Sequence, residues 1–134
     1  MAINLDKLVG FHQNALKIRN DKMEVIAGNL ANANTPGYKS RGIDFQKAMA
    51  QAQQSGGQSM TRTHEKHMSG GMVSSTEIGF RIPSQPDTGD GNTVEVQRER
   101  NELLDTGMRY QATIEFLNGK VKGMKKAISG GQGQ

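Results

Sequence analysis

Three clusters of this chain carry side chains that could do chemistry. His64-Glu-Lys-His67 sets two imidazoles beside a carboxylate, the ingredients of a zinc site. In the helical zinc-protease motif two further residues separate His-Glu from the second His, which puts both rings on one face. Here the spacing is one residue short and the surroundings read as strand or loop. No third ligand accompanies the pair, whereas zinc sites use three or four protein ligands. A solvated loop is the better reading. Asp87-Thr-Gly-Asp-Gly-Asn92 has the oxygen density of a calcium loop. An EF-hand needs an acidic residue at loop position 12; counted from Asp87, that position is Arg98. A helix-capping turn accounts for these residues instead. Lys120, Lys122, Lys125 and Lys126 form the densest basic patch. They lie near the end of a predicted helix, where the dipole alone favours cations, and acids interleave with the other bases, so nucleic-acid binding is not expected. The chain has no Cys, no Ser in a nucleophile elbow and no Gly-rich phosphate loop. The residues therefore predict no enzyme, no catalytic residue, no cofactor and no metal.

Composition points the same way. Of 134 residues, 34% are hydrophobic and 4% aromatic, below the ~45–50% apolar content of an ordinary globule. Ordering costs ~1–2 kcal/mol per residue in backbone entropy, against roughly 25 cal/mol per Å² of apolar burial. A chain this polar makes a marginal monomer, and copies of itself or partner proteins would supply the missing burial. The net charge of +4 is modest, and 17 glycines against three prolines predict flexible loops. No secretory leader opens the chain, and no stretch is long enough to insert in a membrane.

The elements that would position anything lie at the two ends. Leu5, Val9, His12, Leu16, Arg19, Met23, Ile26, Leu30 and Ala33 alternate spacings of four and three, the a/d rule for a helix packing along one seam. Asn4 can cap it; Leu8, Phe11, Ala15 and Ala27 widen the apolar face. His12 and Arg19 interrupt the seam and either reach solvent past its edge or set register. Thr35 before Pro36 leaves the helical region, and Pro36-Gly37 suits the centre of a type II turn. Asn29, Asn32 and Asn34 compete for local backbone bonds and favour a helix end. Residues 44–54 predict a short amphipathic helix using Phe45, Ala48, Met49 and Ala52. Residues 55–91 read as extended, with short strands at 61–64 and 72–75, alternation of Phe80 and Ile82, and a hairpin as one option. Asn92 or Thr93 can cap the last helix, with Glu95 and Glu99 near its start. Its seam is Val96, Arg100, Leu103, Gly107, Tyr110, Ile114, Leu117, Val121, Met124 and Ile128. Gly107 costs about 1 kcal/mol relative to Ala and suggests a close approach.

The expected fold is mainly α. Long N- and C-terminal helices pair as a coiled coil, with a short helix and an extended, Gly-rich middle containing little β. One discontinuous domain comprises the N-terminal helix (1–34), turn plus short helix (35–54), extended middle (55–91), C-terminal helix (92–129) and tail (130–134). Antiparallel pairing within the chain and parallel pairing between subunits both satisfy the seams.

Two separate motifs carry a family resemblance. Asn29-Leu-Ala-Asn-Ala-Asn-Thr-Pro-Gly-Tyr38 resembles the signature that closes the N-terminal helix of bacterial flagellar rod and hook proteins. Heptad segments at both termini are also that family's layout. The short length and Asp90-Gly-Asn-Thr-Val-Glu-Val-Gln-Arg-Glu-Arg100 resemble the B-type proximal-rod members most, with the C-type as alternative. The resemblance implies a structural subunit exported unfolded through the type III apparatus and polymerised through its terminal helices into a tube around the export channel. It implies as partners copies of itself, other rod subunits and the adaptor joining rod to membrane ring, and a place in the basal-body rod. Asn32, Asn34, Thr35, Pro36, Gly37 and Tyr38 then form the family turn. The apolar seam residues from Leu5 to Ile128 form subunit interfaces. A stand-alone coiled-coil adaptor or secretion chaperone is the competing reading.

Overall fold

A computed structural model describes residues 5–55, 77–85 and 89–130. The chain is mainly helical. In order come α1 (Leu5–Ala31), β1 (Arg41–Ile43), α2 (Phe45–Ser55), β2 (Ile78–Phe80) and α3 (Val96–Ile128). At ~1.5 Å per residue, the 27 residues of α1 and the 33 of α3 make rods of about 40 and 50 Å. They pack antiparallel. Asn29 meets Glu99 at 3.1 Å, Lys22 meets Glu102 at 2.8 Å, and Arg19 feels the charge of Asp105.

The core sits where α1 is crossed by β1 and α2. Ala15 and Ile18 pack with Ile43, Ala48 and Met49, flanked by Val25, Phe45 and Ala52. The four α2 residues expected to form its apolar face are the ones used here. Asp44 starts α2 as its cap, its Oδ1 accepting from the backbone N–H groups of Gln46 (2.9 Å) and Lys47 (3.2 Å). Full burial of an aliphatic side chain stabilises by roughly 1.5–3 kcal/mol. The buried apolar set among the described residues includes two alanines and no aromatic side chain, so this core is thin.

The structure departs from the sequence reading in four places. The last helix starts at Val96 rather than Asn92, and Glu95 occupies its cap position without a side-chain bond to the helix. Asn92 and Thr93 are drawn elsewhere. The first helix ends at Ala31, and residues 32–37 are already turns. Phe80 belongs to a strand, β2, that pairs antiparallel with β1 rather than reading as extended chain alone, Arg41 opposite Phe80, Gly42 opposite Gly79 and Ile43 opposite Ile78. Gly107 marks no close approach, because a Cβ built there meets nothing within 4 Å. The expectations for Asn4, residues 61–64 and 72–75, His64-Glu-Lys-His67 and the last residues of the tail lie outside the described residues.

Candidate functional site

The turn after α1 has the geometry that Pro36-Gly37 dictates. Gly37 takes φ +72, a region that side chains disfavour, and the N–H of Tyr38 returns to the carbonyl of Thr35 at 3.2 Å. Asn32 closes the helix locally, its Nδ2 donating to the carbonyl of Gly28 at 2.8 Å. The second turn cluster docks directly onto the first. Gly37 N–H donates to the carbonyl of Asp90 (2.9 Å), and Thr93 N–H donates to the carbonyl of Tyr38 (3.0 Å). Thr93 Oγ1 accepts from the N–H of Ser40 at 2.9 Å. Gly91, also at φ +72, comes close enough that a Cβ would meet Gly37 Cα at 3.4 Å.

Asn92 explains why the last helix starts late. Its Nδ2 donates to the carbonyls of Asn32 (3.0 Å), Ala33 (2.9 Å) and Thr35 (2.9 Å). Those carbonyls lie past the end of α1, where helical partners run out. A residue read as the cap of one helix therefore caps the exit of the other.

Asn29 anchors the turn from beneath. It is 0% exposed and uses every bonding position it has. Nδ2 donates to the carbonyl of Arg41 (2.8 Å) and to Glu99 Oε2 (3.1 Å). Oδ1 accepts from the N–H of Arg41 (3.0 Å) and from Tyr38 Oη (3.4 Å). One amide thus ties α1 to β1, to the turn and to α3. The bonds are tertiary, not the local ones expected of an Asn near a helix end.

Glu99 is 1% exposed, which a carboxylate tolerates only when paired. Arg81 supplies the pair, its Nη1 lying 3.0 Å from Glu99 Oε1 and 2.8 Å from Glu102 Oε2. To reach them the Arg81 side chain crosses the glycine face of the small sheet. A Cβ on Gly42 would stand 2.5 Å from Arg81 Nε. Burial pushes the Glu102 carboxyl up, but the bond from Lys22 and the charges of Arg81 and Lys22 outweigh it and hold it below its usual value. Glu95 is likewise held low, chiefly by the backbone N–H of Ser84, which it accepts at 2.8 Å. The 77–85 segment is thus pinned to the start of α3 through three carboxylates, Arg81 on Glu99 and Glu102 and Ser84 on the cap residue Glu95.

The remaining predicted residues divide by position. Ile26 is buried; Val9, Leu16, Met23, Leu30, Val96, Leu103, Tyr110, Ile114, Leu117 and Met124 are half-buried; Val121 and Ile128 are exposed. The side chain of Leu5 lies outside the described ones. The residues of α1 and α3 that are fully buried include Ala15, Ile18, Glu99 and Thr106, each beside the heptad line rather than on it. In the turn, Asn34, Thr35, Pro36 and Gly37 are exposed, while Asn32 and Tyr38 are half-buried. Arg19 sits half-buried with its guanidinium 4.5 Å over the Phe45 ring, and burial with the nearby Arg109 holds its pKa below the ordinary value, Asp105 opposing. Sequence reasoning missed Asn29 as a tertiary anchor, Glu99 as a buried charge and Arg81 altogether. The lone Arg in the Phe80–Ile82 alternation was the available signal.

This constellation holds chain segments together. Among the described residues no set of three His, Asp or Glu could hold a metal, and no helix is long and apolar enough to cross a membrane.

Comparison with known proteins follows the same geometry. The sequence profile described as Flagella basal body rod protein matches residues 10–39, which cover most of α1 and the turn with Asn29 and Gly37. The protein named flagellar basal body rod protein FlgB of Aeromonas hydrophila is 46% identical over 132 residues, spanning 98% of this chain and 100% of that one. The FlgB of Salmonella typhimurium is 38% identical over 138 residues (98% and 99%), and that of Yersinia enterocolitica 39% over 137 (95% and 99%). The shared role is structural and not enzymatic. A likeness that runs the full length of these relatives and includes both docked turns means that the chain belongs to the flagellar basal body rod protein family.

Proposed function

We propose that this rod protein is a proximal-rod subunit that polymerises through its terminal helices into a tubular drive shaft around the export channel. Copies of itself and other rod subunits pack on its helix seams as coiled-coil neighbours. The adaptor joining rod to membrane ring and the type III export apparatus are its further partners, and the periplasmic rod is its location. The whole chain acts as one discontinuous domain, with helices at both ends and the turn folding residues 38–54 back onto α1.

One observation carries this reading. The heptad line of α3 runs on toward its C-terminal end, where Val121 is 47% and Ile128 83% exposed and Met124 between them is half-buried. Apolar seam residues left exposed need an external partner. The test replaces both residues, Val121→Asp with Ile128→Asp. Rod assembly and swimming are lost while the purified protein keeps its helicity by circular dichroism. Normal swimming by cells carrying the double variant would sink the reading.

A further inference from the structure

Among the described residues the small sheet has an open side. Arg81 N–H donates to the carbonyl of Ser40, and both backbone groups of Arg41 are taken by Asn29. In an antiparallel ladder this makes Arg41–Phe80 and Ile43–Ile78 the non-hydrogen-bonded pairs. The N–H and C=O of Ile78 and Phe80 therefore point away from β1, where they have no partner among the described residues. Their side chains are bare as well, Ile78 at 53% and Phe80 at 73% exposure. A two-stranded sheet with an apolar, unpaired edge is a template for a further strand.

We propose that this edge pairs with the same edge of a second copy, β2 against β2 in antiparallel register, to give a four-stranded sheet across a two-fold axis. The strand is self-complementary. With Gly79 on the axis, Ile78 stands opposite the second copy's Phe80 and exchanges both backbone bonds with it, and the mirror pair does the same. Four bonds form, and two aromatic–β-branched cross-strand contacts, the favourable kind, form with them. Residues 78–80 carry no charge, so identical strands do not repel. The axis falls on a non-hydrogen-bonded pair, where Cα atoms approach to ~4.5 Å, and the space around Gly79 is open, with nothing within 4 Å of a Cβ built there. The contact is small, below the size of a standard interface, so the dimer is weak and appears at high concentration. A two-fold pair closes on itself and cannot propagate along a polar tube. It belongs to the free subunit, where it covers a sticky edge, and it stands independently of the rod reading.

The chain has no cysteine, so a single introduced thiol reports the register. Gly79→Cys in the full chain places two thiols across the axis within disulfide reach. Gly119→Cys, on exposed α3 surface with open space around it, is the control. Under mild oxidation of the pure protein, Gly79→Cys forms a covalent dimer much faster than Gly119→Cys. Adding Phe80→Glu, which opposes the pairing, abolishes that advantage. Sedimentation of the unmodified protein shifts from the 14.6 kDa monomer toward twice that mass as concentration rises. Equal cross-linking of the two cysteine variants overturns the proposal, as does cross-linking that survives Phe80→Glu. A protein that stays monomeric at every concentration also overturns it.

Discussion

The two ends of α3 stand in contrast. At its start, Glu99 is buried and paired, Asn92 and Thr93 hold the turn after α1, and every polar group of Asn29 beneath is satisfied. From Leu104 onward the same helix leaves large apolar side chains in the open: Leu104, Met108, Phe116, Val121 and Ile128. One end is specified by directional bonds that a lone chain can complete. The other is apolar, non-directional and incomplete in a single copy. Polar networks set a unique geometry because a half-satisfied one is costly. Bare apolar surface adds attraction without choosing a geometry. A subunit that must present one fixed turn while joining neighbours has use for both.

The contrast can be broken at its polar end. Asn29→Asp removes both donors and sets a second buried carboxylate against Glu99, so unfolding free energy falls by about 3–5 kcal/mol, read as a lower urea midpoint at unchanged slope. An unchanged midpoint would remove Asn29 from its place as anchor. Gly42→Ala drives a Cβ into Arg81, which two carboxylates hold still; a loss of about 1–3 kcal/mol follows, by the same measurement.

Acid probes the carboxylates that grip the 77–85 segment. Glu95 and Glu102 have pKa values below their ordinary 4.5 when folded. Groups lowered by folding stabilise fully above the unfolded pKa, and that contribution is lost as pH falls through the folded one. Thermal midpoints are therefore expected to hold from neutral pH to about 5 and to decline as the pH falls below the ordinary value of 4.5. A midpoint that rises on acidification would contradict the pairing. At the apolar end the smallest effect is expected. Ile128→Asp alone changes monomer stability by no more than about 0.5 kcal/mol, as for other exposed positions, and a larger loss in urea melts would show that the lone chain already covers this end.

The helices and the turn were legible because their signals are local. Heptad spacing marked α1 and α3, the apolar residues Phe45, Ala48, Met49 and Ala52 marked α2, and Pro36-Gly37 carried its own φ preferences. Legibility failed where a residue's partner is far away in sequence. Asn92 looked like a cap because capping residues are recognised by type, and nothing nearby said that its amide would serve the carbonyls of another helix. Arg41–Ile43 is too short and too polar to show strand alternation, and it becomes a strand because β2 arrives beside it. Glu99 read only as an acid near the start of the last helix, and it became a buried charge because Arg81 comes over Gly42 to meet it.

The sequence alone determined that this chain is mainly helical, that its first helix stops before Pro36, and that its apolar content is thin for a lone globule. These follow from periodicity, ring-constrained φ and composition, properties each segment carries wherever it lies. Only the tertiary structure decided that the two turns dock, that one buried amide joins three elements, and that α3 ends on exposed apolar side chains. Those outcomes depend on which distant groups meet at hydrogen-bond range, and a bond of that kind exists only after the chain has closed.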